Sequence, residues 1–268
     1  MPELPEVEAY RLLARRVIGR TIVAVDAPDP WYVKHGDPRA LIGHTVSDVR
    51  RRGKLLLLDT DGRATDGRDT GGRDTGGPTL GLRFGMTGRL VVDGTPGVDA
   101  LLYSSNAERP SYVRFALVFD DGSLNVRDPR RLGGVFIDPD EDGLGPDALA
   151  AGVTELRAAL AGSEAPLKAR LMDQARLAGV GNLVADEVLW RARLDPARPA
   201  GHLTAPESRR LASALRSTLT QLIARGGSHT GDLMAERRPG GRCPRDGTPL
   251  LRRRVGGRTT WSCPACQS

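Results

Sequence analysis

Cysteine is scarce in this 268-residue chain, which holds three, all within its last 26 residues. A disulfide framework is therefore not expected, and a small C-terminal metal module is the natural interpretation. Long apolar runs are also lacking, because the run at residues 55–58 is short and bounded by charges. The N-terminus does not show the basic-then-apolar pattern of a secretory signal, so we expect a cytoplasmic protein without a membrane anchor.

Positively charged residues outnumber negatively charged ones. Arginine and lysine exceed aspartate and glutamate and give a formal net charge of +6. Such an excess suggests a polyanionic partner such as nucleic acid, although high arginine can equally reflect genome composition. A hydrophobic fraction of 39% in a chain of this length provides enough apolar surface for a globular core.

Hydrophobic periodicity predicts that the first domain, residues 1–138, is rich in β-structure. An approximate amphipathic helix over residues 3–18 comes first, and Gly19 ends it. Short β-prone runs separated by Gly, Pro and Asp turns follow, which predict an antiparallel sandwich or barrel. These runs cover residues 21–25, 45–50, 54–59, 80–84, 90–92, 112–119 and 134–137.

A turn-rich segment at residues 138–146 marks a boundary, after which the period becomes helical. The second predicted domain, residues 147–228, contains helices over residues 147–160, 167–173, 182–192 and 205–224. A tight Ala-Gly-Val-Gly turn delivers Asn182 to the third helix, where Asn is a favoured N-cap. The last predicted domain, residues 239–268, is rich in Gly, Arg and Cys, so the fold class is α+β and multidomain.

A low-complexity segment interrupts the strand pattern. Residues 60–79 are nearly all Gly, Asp, Arg and Thr, and Gly-Arg-Asp-Thr-Gly-Gly occurs twice. So polar a segment cannot bury enough apolar surface to order itself, which favours a flexible extension of a hairpin. A phosphate-binding glycine loop is the alternative, but no helix start follows to supply backbone amides.

The first eight residues, Met-Pro-Glu-Leu-Pro-Glu-Val-Glu, allow a chemical and a structural interpretation. Removal of Met1 would leave Pro2 with a secondary amine that can form an iminium ion with an aldehyde carbon. Because α-amino groups have a reference pKa of about 8, a useful fraction of such an amine is unprotonated at neutral pH. A neighbouring carboxylate, Glu3, could shuttle protons. The alternative is an ordinary acidic helix start with Pro5 in its first turn.

The cysteines are spaced like the ligands of a zinc ribbon. Cys243-Pro-Arg-Asp246 and Cys263-Pro-Ala-Cys266 are separated by sixteen residues, and two such turns can offer four ligands to a tetrahedral ion. Asp246 stands where a complete pair would have cysteine. We predict structural Zn²⁺ held by Cys243, Asp246, Cys263 and Cys266, with a metal-free hairpin held by packing as the alternative. Arginines between the ligands suit phosphate binding.

Eight motifs lie in order along almost the whole chain. They are Pro-Glu-Leu-Pro-Glu-Val-Glu at 2–8, Arg-Arg-Gly-Lys-Leu-Leu at 51–56, Gly-Met-Thr-Gly at 85–88, Asp-Pro-Arg-Arg at 128–131, Leu-Gly-Pro at 144–146, Lys-Ala-Arg-Leu-Met-Asp-Gln at 168–174, Gly-Val-Gly-Asn-Leu-Val-Ala-Asp-Glu at 179–187 and Gly-Arg-Thr-Thr-Trp-Ser-Cys at 257–263. Together they resemble the formamidopyrimidine-DNA glycosylase and endonuclease VIII family. The resemblance implies a β-sandwich with a leading helix, a helix–two-turns–helix domain and a zinc-finger-like β-hairpin.

In function, the resemblance implies a bifunctional DNA glycosylase and abasic-site lyase that acts as a monomer on damaged double-stranded DNA. Pro2 would attack C1′ of the damaged nucleotide and expel the base through a Schiff base. Glu3 would be its acid–base partner, and Glu6 would support the site. Lys54 would contact a phosphate near the lesion.

The resemblance also implies two groups of DNA-contacting residues. Backbone phosphates would be held by Lys168, Asn182 and Arg258. The space left by the flipped base would be filled by Met86, Arg130 and Leu132. Exposed apolar side chains on basic loops suit a protein that wedges open a duplex, although each of them alone could simply be packed.

Some residues depart from the family pattern. Leu132 replaces the phenylalanine usual in the purine-specific branch, and Arg83 and Val184 replace a histidine and a tyrosine. Residues 228–242 form a short connection where a longer loop could cover a flipped 8-oxoguanine. We therefore expect altered or weakened 8-oxoguanine recognition, with formamidopyrimidines, oxidised pyrimidines or bulkier adducts as alternative substrates.

Two rival functions fit part of the sequence. A catalytically silent DNA-binding protein would use the same basic surface, but it has no need of an N-terminal proline amine, Glu3 and Lys54. A zinc-ribbon interaction protein of transcription or translation would explain the last 30 residues and nothing before them.

Overall fold

The computed structural model describes residues 2–61, 76–102, 104, 107 and 109–268. Within these residues the chain forms two compact units. The first comprises Pro2 and residues 6–141, and the second comprises residues 3–5 and 142–268. Residues 62–75 of the predicted 60–79 extension lie outside the described part of the chain.

The first unit holds most of helix α1 (Leu4–Ala14) and two antiparallel-rich sheets. Its strands are β1 (Ile22–Asp26), β2 (Val33–His35), β3 (Val46–Arg52), β4 (Leu55–Thr60), β5 (Leu80–Arg83), β6 (Arg89–Val92), β7 (Thr95–Pro96), β8 (Val113–Phe119), β9 (Gly122–Arg127) and β10 (Gly134–Ile137). One sheet has the order β1-β8-β9-β6-β7 and the other β2-β10-β5-β4-β3. Because the strands form two separate sheets, this unit is a sandwich and not a barrel, the other architecture that the sequence allowed.

Apolar side chains from both sheets form one core in this unit, with α1 contributing Val7, Tyr10 and Leu13. Strand β4 is buried at four consecutive leucines, whereas β9 alternates with Leu124 and Val126 buried. The sequence prediction omitted β9, whose alternation is present but contains only two apolar residues and is therefore a weak signal. Burial of the inward faces is the main stabilising contribution expected of such a sandwich.

The second unit is helical and ends in a β-hairpin. Its helices are α2 (Val153–Leu160), α3 (Leu167–Leu171), α4 (Asn182–Ala192) and α5 (Ala205–Ala224), and the hairpin pairs β11 (Leu251–Val255) with β12 (Arg258–Ser262). The helix predicted over 147–160 starts six residues later. Gly152 takes an extended backbone at the N-cap, and its N–H donates to the Glu155 carboxylate at 3.0 Å.

Helix α5 shows why the predicted bounds of a strongly patterned helix are correct. Thr204 accepts a hydrogen bond from the Glu207 N–H, and the Glu207 side chain returns to the Thr204 N–H, which completes a capping box. Leu211, Leu215 and Leu219 lie on the face buried in the core of the unit. No helix in the described residues is long and apolar enough to span a bilayer.

Candidate functional site

Pro2 is buried and directly precedes the predicted catalytic carboxylate, Glu3. Glu6 is 2% exposed and lies in the first turn of α1. Lys54 is half-buried in the two-residue turn that joins β3 and β4, where Gly53 adopts φ of 60° and Arg52 pairs with Leu55. The positive φ explains the glycine, since a side chain is strained there.

The Glu3 carboxylate caps helix α4, although it is far away in the sequence. Its two oxygens accept hydrogen bonds from the N–H groups of Leu183 and Val184 at 2.9 and 3.0 Å. These donors are among the amides that a helix start leaves without partners, and the positive end of the helix also stabilises an anion. A Cβ atom on Gly181 would collide with this carboxylate.

The sequence suggested that Asn182 caps helix α4, but the structure shows that it does not. The N-cap is Gly181, and Asn182 is the first residue of α4. Its side-chain oxygen is buried and makes no hydrogen bond within the described residues. Rotation of the amide would present the NH₂ group at the same place, which suits a phosphate oxygen. Gln174 fixes the preceding turn by donating to Val180 O at 3.0 Å and accepting from Gly179 N at 3.0 Å.

Two loops join the two sheets of the sandwich, and Asp128 holds both. We call residues 84–88 the Met86 loop and residues 128–133 the Leu132 loop. The Asp128 carboxylate is completely buried and accepts hydrogen bonds from the Thr87 hydroxyl at 2.5 Å and the Gly133 N–H at 2.8 Å. The Tyr32 hydroxyl donates to it at 3.3 Å. Burial, followed by the charge of Asp128, raises the pKa of Tyr32, so its phenol stays a donor.

The predicted wedge residues lie on these loops. Leu132 is 49% exposed, Arg130 is exposed and Met86 is half-buried. The loops are in contact, because a Cβ on Gly85 would collide with the Leu132 carbonyl. The Leu132 loop crosses from one sheet to the other, and its Arg131 is held by Asp29, with Nε 2.6 Å from Oδ2.

Lys168 lies in a buried ion cluster. Its ammonium is 2.7 Å from Asp186 Oδ1 and donates to Thr260 Oγ1 at 2.9 Å. Arg237 Nη2 donates to Asp186 Oδ2 at 2.7 Å. Burial lowers the pKa of Lys168 below its usual value, and the Asp186 carboxylate counteracts that shift. The Lys168 side chain is completely buried. Its predicted phosphate contact stays a prediction.

Replacing Asp186 with asparagine should destabilise the protein by about 3–5 kcal/mol, because two buried cations would lose their counter-charge. Chemical denaturation would measure the loss. Glu164→Gln is the matched control, since Glu164 pairs with His202 at 3.0 Å on the surface, where ion pairs contribute about 0–1 kcal/mol. Equal stability losses in the two variants would contradict this assignment.

The hairpin carries Arg258 at the start of β12. Gly256 and Gly257 have positive φ and form the two-residue turn between Val255 and Arg258. A Cβ on Gly256 would collide with Ala169, so the turn packs against α3. Arg258 is exposed, as are Arg252 and Arg254, whereas Arg253 pairs with Asp195.

The four predicted metal ligands lie together, with their ligand atoms within 4.8 Å of one another. Tetrahedral zinc with Zn–S bonds of about 2.3 Å requires S···S separations of about 3.8 Å, and S···O separations of about 3.6 Å to a carboxylate ligand. The Cys243 and Cys266 sulfurs are 3.8 Å apart, and Cys263 Sγ lies 3.4 and 3.6 Å from the Asp246 oxygens. The donor set therefore fits a metal ion of this size.

Side chains around the cluster support its ligands. Trp190 Nε1 donates to Cys243 Sγ at 3.3 Å, and Arg245 Nη1 lies 3.5 Å from Cys266 Sγ. The Arg245 guanidinium also stacks on the Trp190 ring at 4.6 Å. Hydrogen bonds from the Thr248 backbone and hydroxyl lower the pKa of Asp246 to about 2, which keeps this ligand ionised.

Sequence reasoning missed several supporting residues. Asp128 and Asp186 both belong to motifs that were recognised, but only their neighbours received roles. Nothing local indicates that either side chain is buried and shared between segments remote in the sequence. Tyr32 and Gln174 were missed for the same reason.

Two family models match the chain. The formamidopyrimidine-DNA glycosylase N-terminal domain matches residues 1–135, and the H2TH domain of the same enzymes matches residues 143–233. A formamidopyrimidine-DNA glycosylase from Thermus thermophilus is 36% identical over 295 residues, covering all of this chain and 98% of that protein. The corresponding protein of Laribacter hongkongensis is 38% identical over 297 residues, with complete coverage of both.

Solved structures agree in fold. The crystal structure of MutM (Fpg) from Thermus thermophilus has a TM-score of 0.78 and 35% identity, covering 99% of this chain and 98% of that one. The Lactococcus lactis Fpg in complex with a Fapy-dG containing DNA has a TM-score of 0.78 and 27% identity, covering 99% and 100%.

Proposed function

Because the chain belongs to the formamidopyrimidine-DNA glycosylase family, we propose that it excises oxidised or ring-opened bases from duplex DNA and cleaves the resulting abasic site through Pro2. The observation that carries this assignment is the position of the Glu3 carboxylate. Its carboxylate follows Pro2 directly and is fixed by the amides at the start of α4, one residue from Asn182. A proton-shuttling group and a phosphate-binding amide thus share one helix end.

In the proposed reaction, the Pro2 nitrogen forms a bond to C1′ of the damaged nucleotide while the bond from C1′ to the base breaks. Glu3 transfers a proton to the sugar oxygen as the ring opens, which leaves an iminium ion between Pro2 and C1′. The iminium ion accepts electrons from the C2′–H bond, so that loss of the C2′ proton expels the 3′ phosphate. A further elimination expels the 5′ phosphate. Glu6 and Lys54 support the site.

The proposed DNA contacts follow from exposure and charge. Asn182 and Arg258 hold backbone phosphates. Lys168 contributes indirectly: it belongs to the ion cluster and fixes β12, the strand that carries Arg258. Met86, Arg130 and Leu132 fill the space left by the flipped base. The protein acts as a monomer on chromosomal DNA in the cytoplasm.

Borohydride trapping on abasic DNA tests the reaction directly, because reduction of the iminium ion links protein and DNA covalently. The expected result is a stable adduct. A silent DNA-binding protein would bind the same duplex without forming one, and that outcome would overturn the proposal.

We also propose weak activity on 8-oxoguanine. The short connection between α5 and the metal cluster is pinned to α4, since Glu187 accepts hydrogen bonds from Asp232 N and Leu233 N at 3.1 and 2.9 Å. A segment held in this way has little freedom to close over a base. Excision from duplexes with single defined lesions tests this, and preferred removal of 8-oxoguanine opposite cytosine would contradict it.

The metal proposed for the Cys243, Asp246, Cys263 and Cys266 cluster is Zn²⁺, which would fix the hairpin that carries Arg258. Asp246→Ala should weaken zinc retention at least about tenfold, and Asp246→Cys should strengthen it, since thiolate is the commoner ligand of structural zinc. Competition with a chromogenic chelator measures both. Equal retention in all three proteins would remove Asp246 from the ligand set.

A further inference from the structure

Among the residues that the structure describes, Trp31 is the most exposed large apolar side chain, at 71% of its surface, whereas Trp190 and Trp261 are 6% and 7% exposed. Leaving an indole in water forgoes a large apolar burial, and tryptophan, which joins an apolar ring to an N–H donor, is enriched at binding interfaces. The reaction described above uses no aromatic side chain, which leaves Trp31 without a role.

The position of Trp31 is set by the Leu132 loop. On one side of it, Asp29 binds the Arg131 guanidinium at 2.6 and 2.7 Å. On the other side, Tyr32 donates to Asp128 at 3.3 Å. Strand β2 then pairs in parallel with β10, which follows the Leu132 loop. Trp31 is thus held beside the loop that carries the proposed wedge.

The ring is also held in place from within its own segment. Pro30 begins a turn of 3₁₀ helix at residues 30–32, and the Tyr32 N–H donates to Asp29 O at 2.9 Å. Lys34 Nζ donates to Trp31 O at 2.7 Å and lies over the indole, 5.1 Å from its centre. A tryptophan fixed in this way loses little conformational entropy when it binds.

The surroundings indicate which partner fits. Lys34 lies over the indole, and the segment is bound through Asp29 to the Leu132 loop, whose Arg130 and Arg131 side chains are exposed, so the charges that accompany the ring are mainly positive. Basic surfaces with an isolated aromatic platform are typical of sites that bind unpaired nucleotides, where phosphates meet the cations and a base stacks on the ring. A protein partner would require a larger apolar area.

We propose that Trp31 is a stacking platform for an unpaired DNA base next to the lesion. The inference rests on the proposed function, because it requires the Leu132 loop to face DNA. It goes beyond that function by giving the protein a preference for lesions among unpaired bases, such as those in bubbles or at junctions of duplex and single strand. Indole stacking tolerates any base, so the preference does not depend on sequence.

The test uses the full-length protein with Trp31→Ala and Trp31→Phe. Affinity is measured by anisotropy for a duplex with a stable abasic analogue, either fully paired or flanked by mismatched bases. Stacking of one base contributes enough for Trp31→Ala to lose about tenfold in affinity for the mismatched duplex, with a much smaller loss on the paired one. Trp31→Phe should keep most of the affinity, because a phenyl ring can still stack.

Two further readouts make the outcome decisive. Tryptophan fluorescence should be quenched when the wild type binds mismatched DNA and much less in Trp31→Phe, whose remaining tryptophans are buried. Leu12→Ala, which truncates a 53% exposed side chain on α1, is the matched control and should bind like the wild type. Wild-type affinity of Trp31→Ala for both duplexes would overturn the inference and indicate a protein partner for the ring. Borohydride trapping of the same samples would separately show whether the proposed function holds.

Discussion

Replacing Pro2 with glycine should slow the formation of the borohydride-trapped adduct about 100-fold or more, a loss of the size expected when a positioned catalytic group is removed. Glycine keeps an α-amino group, but a primary amine gives an imine that can lose its proton, whereas the iminium ion of a proline is permanently charged. A smaller fraction of the glycine adduct is therefore in the charged form that borohydride reduces. The rate of adduct formation on abasic DNA, with protein in excess, measures the effect.

Pro5→Gly is the matched control, because it changes the other proline of the same segment and leaves the N-terminal amine intact. It should lower folding stability, because Pro5 is buried and glycine favours a helix less, but leave the trapping rate close to that of the wild type. Binding to a stable abasic analogue should be unchanged in both variants. If Pro2→Gly trapped DNA at the normal rate, a secondary amine would not be required, and Lys54→Ala would then show whether the lysine amine is the nucleophile.

Replacing Asp128 with asparagine should impair base excision from duplex DNA while sparing cleavage of an abasic site in a single strand. The carboxylate accepts from Thr87 on the Met86 loop and from Gly133 on the Leu132 loop. Asparagine has one acceptor oxygen, so its NH₂ group would face one of these donors. An unsatisfied buried donor costs about 1–3 kcal/mol. If this cost raises the free energy of inserting the two loops into the duplex, excision slows by about 5–150-fold.

The two substrates separate positioning from general damage to the fold. A single strand has no stacked partner to displace, so it does not need the wedge, and its cleavage should stay within about threefold of the wild type. Tyr32→Phe, which removes one of the donors to Asp128 and leaves the carboxylate, should have a smaller effect on duplex excision. Equal losses on both substrates would mean that Asp128 only stabilises the sandwich.

The parts of the fold that the sequence predicted are those with local signals. Helix α5 has its capping box and leucine stripe, and the Gly256-Gly257 turn defines the hairpin. Strand β9 was missed because its alternation contains only two apolar residues, and the late start of α2 was missed because the turn before it continues the apolar pattern of the helix.

The candidate site divides in the same way. The roles of Pro2 and Glu3 were predicted from the family resemblance, because the first residues alone fit an ordinary helix start equally well, whereas the cysteine cluster was predicted from the spacing of its ligands. The capping of α4 by Glu3 was not predictable, since the carboxylate and the amides that it binds are about 180 residues apart in the sequence. The same holds for Asp128 and Asp186, whose partners come from remote segments. Motifs identify which residues matter, and the fold determines which of them act together.

The ion cluster of Lys168, Asp186 and Arg237 also limits how this protein can diverge. Loss of the acid leaves two buried cations, and loss of either base changes the local charge in a place that water cannot reach. A lineage can therefore replace one of the three only together with another. We expect the three positions to covary among relatives, and to change as a set where the hairpin is lost.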